Sequence, residues 1–186
     1  MTEIAKNTLE VGTNGAGEVV VNHPDLQPDE NGVGHIIFSP EQARALAFLL
    51  QQKAHSAEEE VIEKRRQEAA KIPVDRSAQI LTDGSPVPED RSHTTLRADG
   101  QQEGYVVLSP EERSKGFVRP YRDAYRHLKC GKITTMSRSI SETYARDPAF
   151  YSGTFCTTCG CHFPIGEDGE FVWYEMDGTT GPKVAT

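Results

Sequence analysis

All four cysteines of this 186-residue chain fall between positions 130 and 161. That clustering constrains the fold more than any other feature. A disulfide framework spreads its cysteines through a secreted domain, whereas thiols gathered in one segment read as a reduced metal-binding set. Cys156-Thr157-Thr158-Cys159-Gly160 places two thiolates on one tight turn. The backbone amides of such a turn can point at the sulfurs, and a glycine after the second cysteine allows the positive φ the turn needs. Cys130 supplies a third thiolate and is also followed by a glycine, Gly131.

A closed tetrahedral zinc shell needs a fourth donor. His162, three residues past Cys159, is the preferred one, because its imidazole can fold back onto the metal. Cys161 and His127 are the alternatives, the latter forming a His-x-x-Cys unit with Cys130. The expected cofactor is therefore one structural zinc. A redox Cys-x-x-Cys pair would belong to a thioredoxin-like βαβ pattern, which the sequence lacks.

The chain carries a formal charge of -8, yet the sum hides a basic run. Arg113, Lys115, Arg119, Arg122, Arg126, Lys129, Lys132 and Arg138 stand against a single acid, Asp123. This segment could meet phosphates or an acidic partner, while the acidic remainder disfavours diffuse binding to nucleic acid by the whole chain. No stretch has the length and apolarity of a membrane span, and MTEIAKNTLE lacks the pattern of a secretory signal. A cytosolic, membrane-free chain is expected.

The hydrophobic pattern predicts an α+β organisation. Residues 1–33 read as a loose arm with one short strand at Glu18-Val19-Val20-Val21, and residues 34–73 as a strand followed by a long helix. Ser39-Pro40-Glu41-Gln42 has a cap, a proline at the first helical position and a glutamine able to close a capping box. Ala43, Leu46, Leu49 and Leu50 keep helical spacing. From Ser56 to Lys71 the helix turns highly charged, reading as a solvated face or, alternatively, as a coiled-coil contact. Residues 74–103, with Asp83-Gly84-Ser85-Pro86, Pro88 and Asp99-Gly100, read as a linker, and 104–186 as a small zinc-ribbon-like α+β domain. Gly104 to Glu112 repeats the strand-into-capped-helix pattern of Gly34 to Gln42. Ser137 to Tyr144 reads as a short helix, and Phe150, Tyr151, Phe155, Phe163, Phe171, Val172 and Trp173 as the core around the metal.

The runs LSPEERSKGFVRPYRDAYRH, CGKITTMS, ETYARDPAFYSGTFC and CxxCxxHFP ahead of EFVW, spanning Gly104 to Trp173, resemble a C-terminal module of small bacterial, phage and prophage proteins with no assigned activity. The resemblance implies Cys130, Cys156, Cys159 and His162 as ligands, with Cys161 a departure from the pattern. It also implies a mobile-element setting.

Three thiolates and one imidazole close the shell and leave no open position for substrate, so the site is expected to support a fold and not to catalyse. The deaminase, Walker A, nucleophile-elbow and His-Glu-x-x-His signatures are missing. The leading expectation is a non-enzymatic, zinc-stabilised binding or structural protein, phage-encoded and acting on a protein partner. The alternative is a nucleic-acid-binding zinc module using Arg113, Lys115, Arg119, Arg122, Arg126, Lys129 and Lys132. Neither the partner nor the oligomeric state is legible in the sequence.

Overall fold

A computed structural model describes residues 10–22, 35–175 and 177–186. It is a mixed helix-and-sheet protein with antiparallel sheets and one long helix. The chain divides into two compact units, residues 1–61 and 62–186.

In the first unit, β1 (Glu10–Thr13), β2 (Val19–Asn22) and β3 (His35–Phe38) form an antiparallel sheet in chain order. The arm expected to hold one strand therefore holds a hairpin. Its turn is set by Asn14, whose side-chain oxygen accepts hydrogen bonds from the backbone N–H of Ala16 and Glu18, the local chemistry that favours Asn in turns. β3 leads into α1 (Pro40–Ala70) through a complete capping box. The Gln42 N–H donates to Ser39 Oγ at 3.2 Å, and the Ser39 N–H donates to Gln42 Oε1 at 2.9 Å, satisfying two otherwise orphaned donors.

The second unit opens with β4 (Gln79–Leu81), which pairs with β5 (Val106–Leu108) across the segment expected to be a linker. That expectation is corrected: 74–103 belongs to the second unit, and the division of the chain lies ahead of it. The physical reason is local. Asp75, Asp83, Asp90 and Asp99 each accept the backbone N–H two residues on, from Ser77, Ser85, Ser92 and Gln101. These Asx turns order a polar segment that lacks apolar bulk. Leu81 is nonetheless buried, and Val107 and Leu108 are fully so.

After the short α2 (Pro110–Arg113), the principal sheet runs in the order β11-β10-β6-β7, with β6 (Ala124–His127), β7 (Ile133–Thr135), β10 (Phe171–Tyr174) and β11 (Thr180–Lys183). The α3 helix (Arg138–Arg146) and a hairpin of β8 (Gly153–Cys156) and β9 (Cys161–Pro164) complete the unit. The core gathers Tyr125, Tyr144, Cys156, Phe171, Trp173 and Val184, with Tyr151 and Phe163 packed against it. Of the residues predicted for the core, Phe171 and Trp173 belong to this cluster, Tyr151 and Phe163 pack against it, and Phe155 and Val172 are buried.

The C-terminal end of α1 is held by a fully buried arginine. Arg146 donates to the carbonyls of Ala69 at 3.0 Å, Ile72 at 2.9 Å and Pro73 at 3.3 Å. It pairs with buried Glu112 at 3.1 Å. Helix ends leave carbonyls without intrahelical partners, and a cation placed there satisfies them. Gly116, at φ +109, lets the chain pass Ala69 so closely that an added Cβ would lie 3.0 Å from the Ala69 methyl.

Candidate metal centre

Two hairpin turns build the site, and they are the same turn twice. At the end of β6, His127-Leu128-Lys129-Cys130-Gly131 closes with the Gly131 N–H donating to the His127 carbonyl at 2.8 Å. At the end of β8, Cys156-Thr157-Thr158-Cys159-Gly160 closes with the Gly160 N–H donating to the Cys156 carbonyl at 2.9 Å. Gly131 has φ +70 and Gly160 φ +65, the left-handed backbone that a side chain would strain. Each turn thus presents its first and fourth residues on one side, giving His127 with Cys130 and Cys156 with Cys159. The turns are tied through Thr134 Oγ1, which accepts from the Thr157 N–H at 3.3 Å and lies 3.2 Å from the Thr157 hydroxyl.

The donor atoms of His127, Cys130, Cys156 and Cys159 lie within 4.8 Å of one another. Cys130 Sγ is 3.6 Å from Cys156 Sγ, and Cys159 Sγ is 3.5 Å from His127 Nδ1. A tetrahedron with Zn–S of about 2.3 Å and Zn–N of about 2.0–2.1 Å has edges of about 3.8 and 3.5 Å, so these residues fit a closed four-coordinate site.

His127 is buried; its ring stacks on Phe171 at 4.7 Å between centroids and lies tilted against Phe163 at 4.6 Å. Its Nε2–H donates to Glu170 Oε2 at 2.9 Å, which leaves Nδ1 free to ligate. Glu170 also receives Lys129 Nζ at 2.6 Å. Hydrogen bonds from His127 and Lys129 hold the Glu170 carboxyl below its ordinary pKa. A carboxylate behind a ligating imidazole fixes its tautomer and raises its basicity. Among the thiols, burial pushes Cys156 up, but hydrogen bonds from the Cys159 amide and from Cys159 and Cys130 outweigh it, and its pKa is lowered. Its neighbour Cys159 is pushed up to about 12, first by the hydrogen bond with Cys156.

The preferred fourth ligand of the sequence reading is corrected. His162 pairs with Phe155 across the β8–β9 hairpin, while Cys156 pairs with Cys161. Side chains alternate along a strand, so His162 shares the face of Phe155 and points away from the Cys156 sulfur. Its Nε2 lies 3.1 Å from the Tyr105 hydroxyl instead, and burial lowers its pKa. Cys161 is exposed, its Sγ against the Cys159 carbonyl at 3.4 Å. His127, an alternative ligand, is a buried residue at the end of β6. The sequence did carry its signal: His-x-x-Cys-Gly duplicates Cys-x-x-Cys-Gly. Glu170 was missed, and no spacing announces it.

Much of the basic run is engaged by other groups of the chain, in part at the surface, where Lys129 is 69% and Arg138 84% exposed. Arg113 pairs with Glu142 at 2.9 Å, Arg122 with Glu175 at 2.7 Å and Lys129 with Glu170, while Lys115 meets Glu112. Arg119 donates to the Thr186 carbonyl at 3.1 Å, and Arg126 lies over the Tyr174 ring at 5.3 Å. Arg138 joins Arg113 on Glu142. Lys132 follows the Gly131 turn, and its backbone carbonyl accepts the His127 N–H. Four glutamates thus meet five of the eight cations, and phosphates would have to compete with them there, while Arg119, Arg126 and Lys132 are not in these pairs.

The fold and site together define a mixed helix-and-sheet protein with a His/Cys₃ cluster able to hold a metal ion. No protein-family model matches the chain, and no curated protein or solved structure matches it. Among the described residues, no helix is long and apolar enough to cross a membrane.

Proposed function

We propose that this is a non-enzymatic, zinc-stabilised binding or structural protein. One zinc held by His127, Cys130, Cys156 and Cys159 fixes the second unit. The observation that carries this reading is the convergence of four soft-to-borderline donors at tetrahedral spacing. Thiolate and imidazole sets of this kind select zinc, and three thiolates leave the ion little Lewis acidity and no open position. The zinc joins two hairpins whose shared core is small, the circumstance in which metal binding contributes directly to folding. The resemblance of residues 104–173 supports a phage or prophage setting, with the protein acting on a protein partner in the host cytosol or in the virion.

Metal analysis of the purified protein tests the site. One zinc per chain is expected, lost in His127→Ala and Cys156→Ser and kept in His162→Ala and Cys161→Ser. A zinc-free wild type, or loss of zinc in His162→Ala with retention in His127→Ala, would refute the assignment.

A further inference from the structure

Among the described residues, no buried side chain precedes Ala69. Among the described residues of the first unit, Val11 is 63% exposed, Ile36 46% and Ile37 45%, and Val19, Val20, Val21 and Phe38 are only half-buried. A three-stranded sheet of four-residue strands needs a covered face to be stable, and a helix without tertiary burial is marginal in water. On α1 the residues Ala43, Leu46, Ala47, Leu50, Ala54, Ala57 and Val61 fall at helical spacing and form one continuous apolar stripe. Leu46, Leu50 and Val61 on it are all exposed.

The charges beside the stripe identify what covers it. With Ala47, Ala54 and Val61 at a positions and Ala43, Leu50 and Ala57 at d positions, Lys53 and Glu60 occupy g and Glu58 and Arg65 occupy e. In a parallel pair without stagger, each g residue meets the e residue five positions on in the other helix. Lys53 then faces Glu58 of the second copy, and Glu60 faces Arg65. Sliding one helix by a heptad sets Lys53 against Arg65 and Glu60 against Glu58, reversing every attraction. An antiparallel pair overlapping the whole stripe sets Lys53 against its own counterpart and gains two Arg44–Glu58 attractions, against four attractions and no repulsion in the parallel pair. The alanines along the seam permit close approach.

We propose that α1 pairs with the α1 of a second copy, parallel and in register, making the protein a homodimer. Sedimentation equilibrium of the full zinc-loaded chain tests it, with zinc content as the check that the second unit is intact. Twice the 20.5 kDa chain mass is expected. Leu50→Asp should give a monomer that keeps its zinc. Glu60→Lys should weaken dimerisation about tenfold, and Glu60→Lys combined with Arg65→Glu should restore it. A monomeric wild type, a trimer or larger assembly, or a double variant as weak as the single one would overturn the proposal.

Discussion

His127 Nε2 lies 2.9 Å from Glu170 Oε2, a contact between residues 43 positions apart that aims the opposite ring nitrogen at three thiols. Because that carboxylate sets the tautomer, Glu170→Gln should lower zinc affinity about 10–100-fold while leaving the stoichiometry at saturation unchanged. Competition against a chromophoric chelator measures this. An affinity equal to wild type would remove Glu170 from the site.

Arg146 and Glu112 form the second long-range pair, at 0% and 1% side-chain exposure. The Glu112 carboxyl is lowered: burial raises it, but hydrogen bonds from Lys115 and Arg146 prevail. Replacing a buried pair wholesale is often tolerated, but removing one partner strands the other. Arg146→Met should therefore destabilise the second unit by about 3–5 kcal/mol, and Glu112→Gln added to it should cost less than the two single changes summed. Urea denaturation of the zinc-loaded proteins reads both.

Zinc binding should release protons. With Cys159 pushed up to about 12, first by its hydrogen bond to Cys156, the metal must displace at least that proton, and affinity should fall by at least about tenfold per unit as pH drops from neutral. Titration in two buffers of different ionisation enthalpy counts the protons. Release of none would mean the thiols are not the ligands.

Acid stability should depend on the Asx turns. Asp75, Asp83 and Asp177 are held below their ordinary value of 3.8, first by the hydroxyls of Ser77, Ser85 and Thr179, and Asp90 first by the Ser92 amide. A depressed native pKa gives stability that is fully present above the unfolded value and is lost as pH falls through the native one. Changing all four to Asn keeps a turn-forming acceptor and removes the titration. The Tm of the metal-free protein should then decline less steeply below pH 4 than that of wild type, and equal slopes would refute the link.

The sequence by itself determined the local features. The Ser39 capping box, the long helix after it, α3 behind Ser137 and the Cys-x-x-Cys-Gly turn all follow from residues within a few positions of one another, where propensity, capping and turn geometry act. It also placed Cys130 in the metal set, since its following glycine marks the same turn. Tertiary structure decided what depends on register and on distant partners. His162 and His127 were both plausible by spacing, and only the β8–β9 pairing turned one to Tyr105 and left the other beside the thiols. Segment 74–103 reads as a linker because it has little apolar bulk, yet backbone pairing to β5, the buried Leu81 and a series of Asp carboxylates order it. The basic run looks unpaired along the sequence until Glu142, Glu170 and Glu175 meet part of it from later in the chain. Charge along a sequence is additive, but whether a charge is free is settled only by what folds against it.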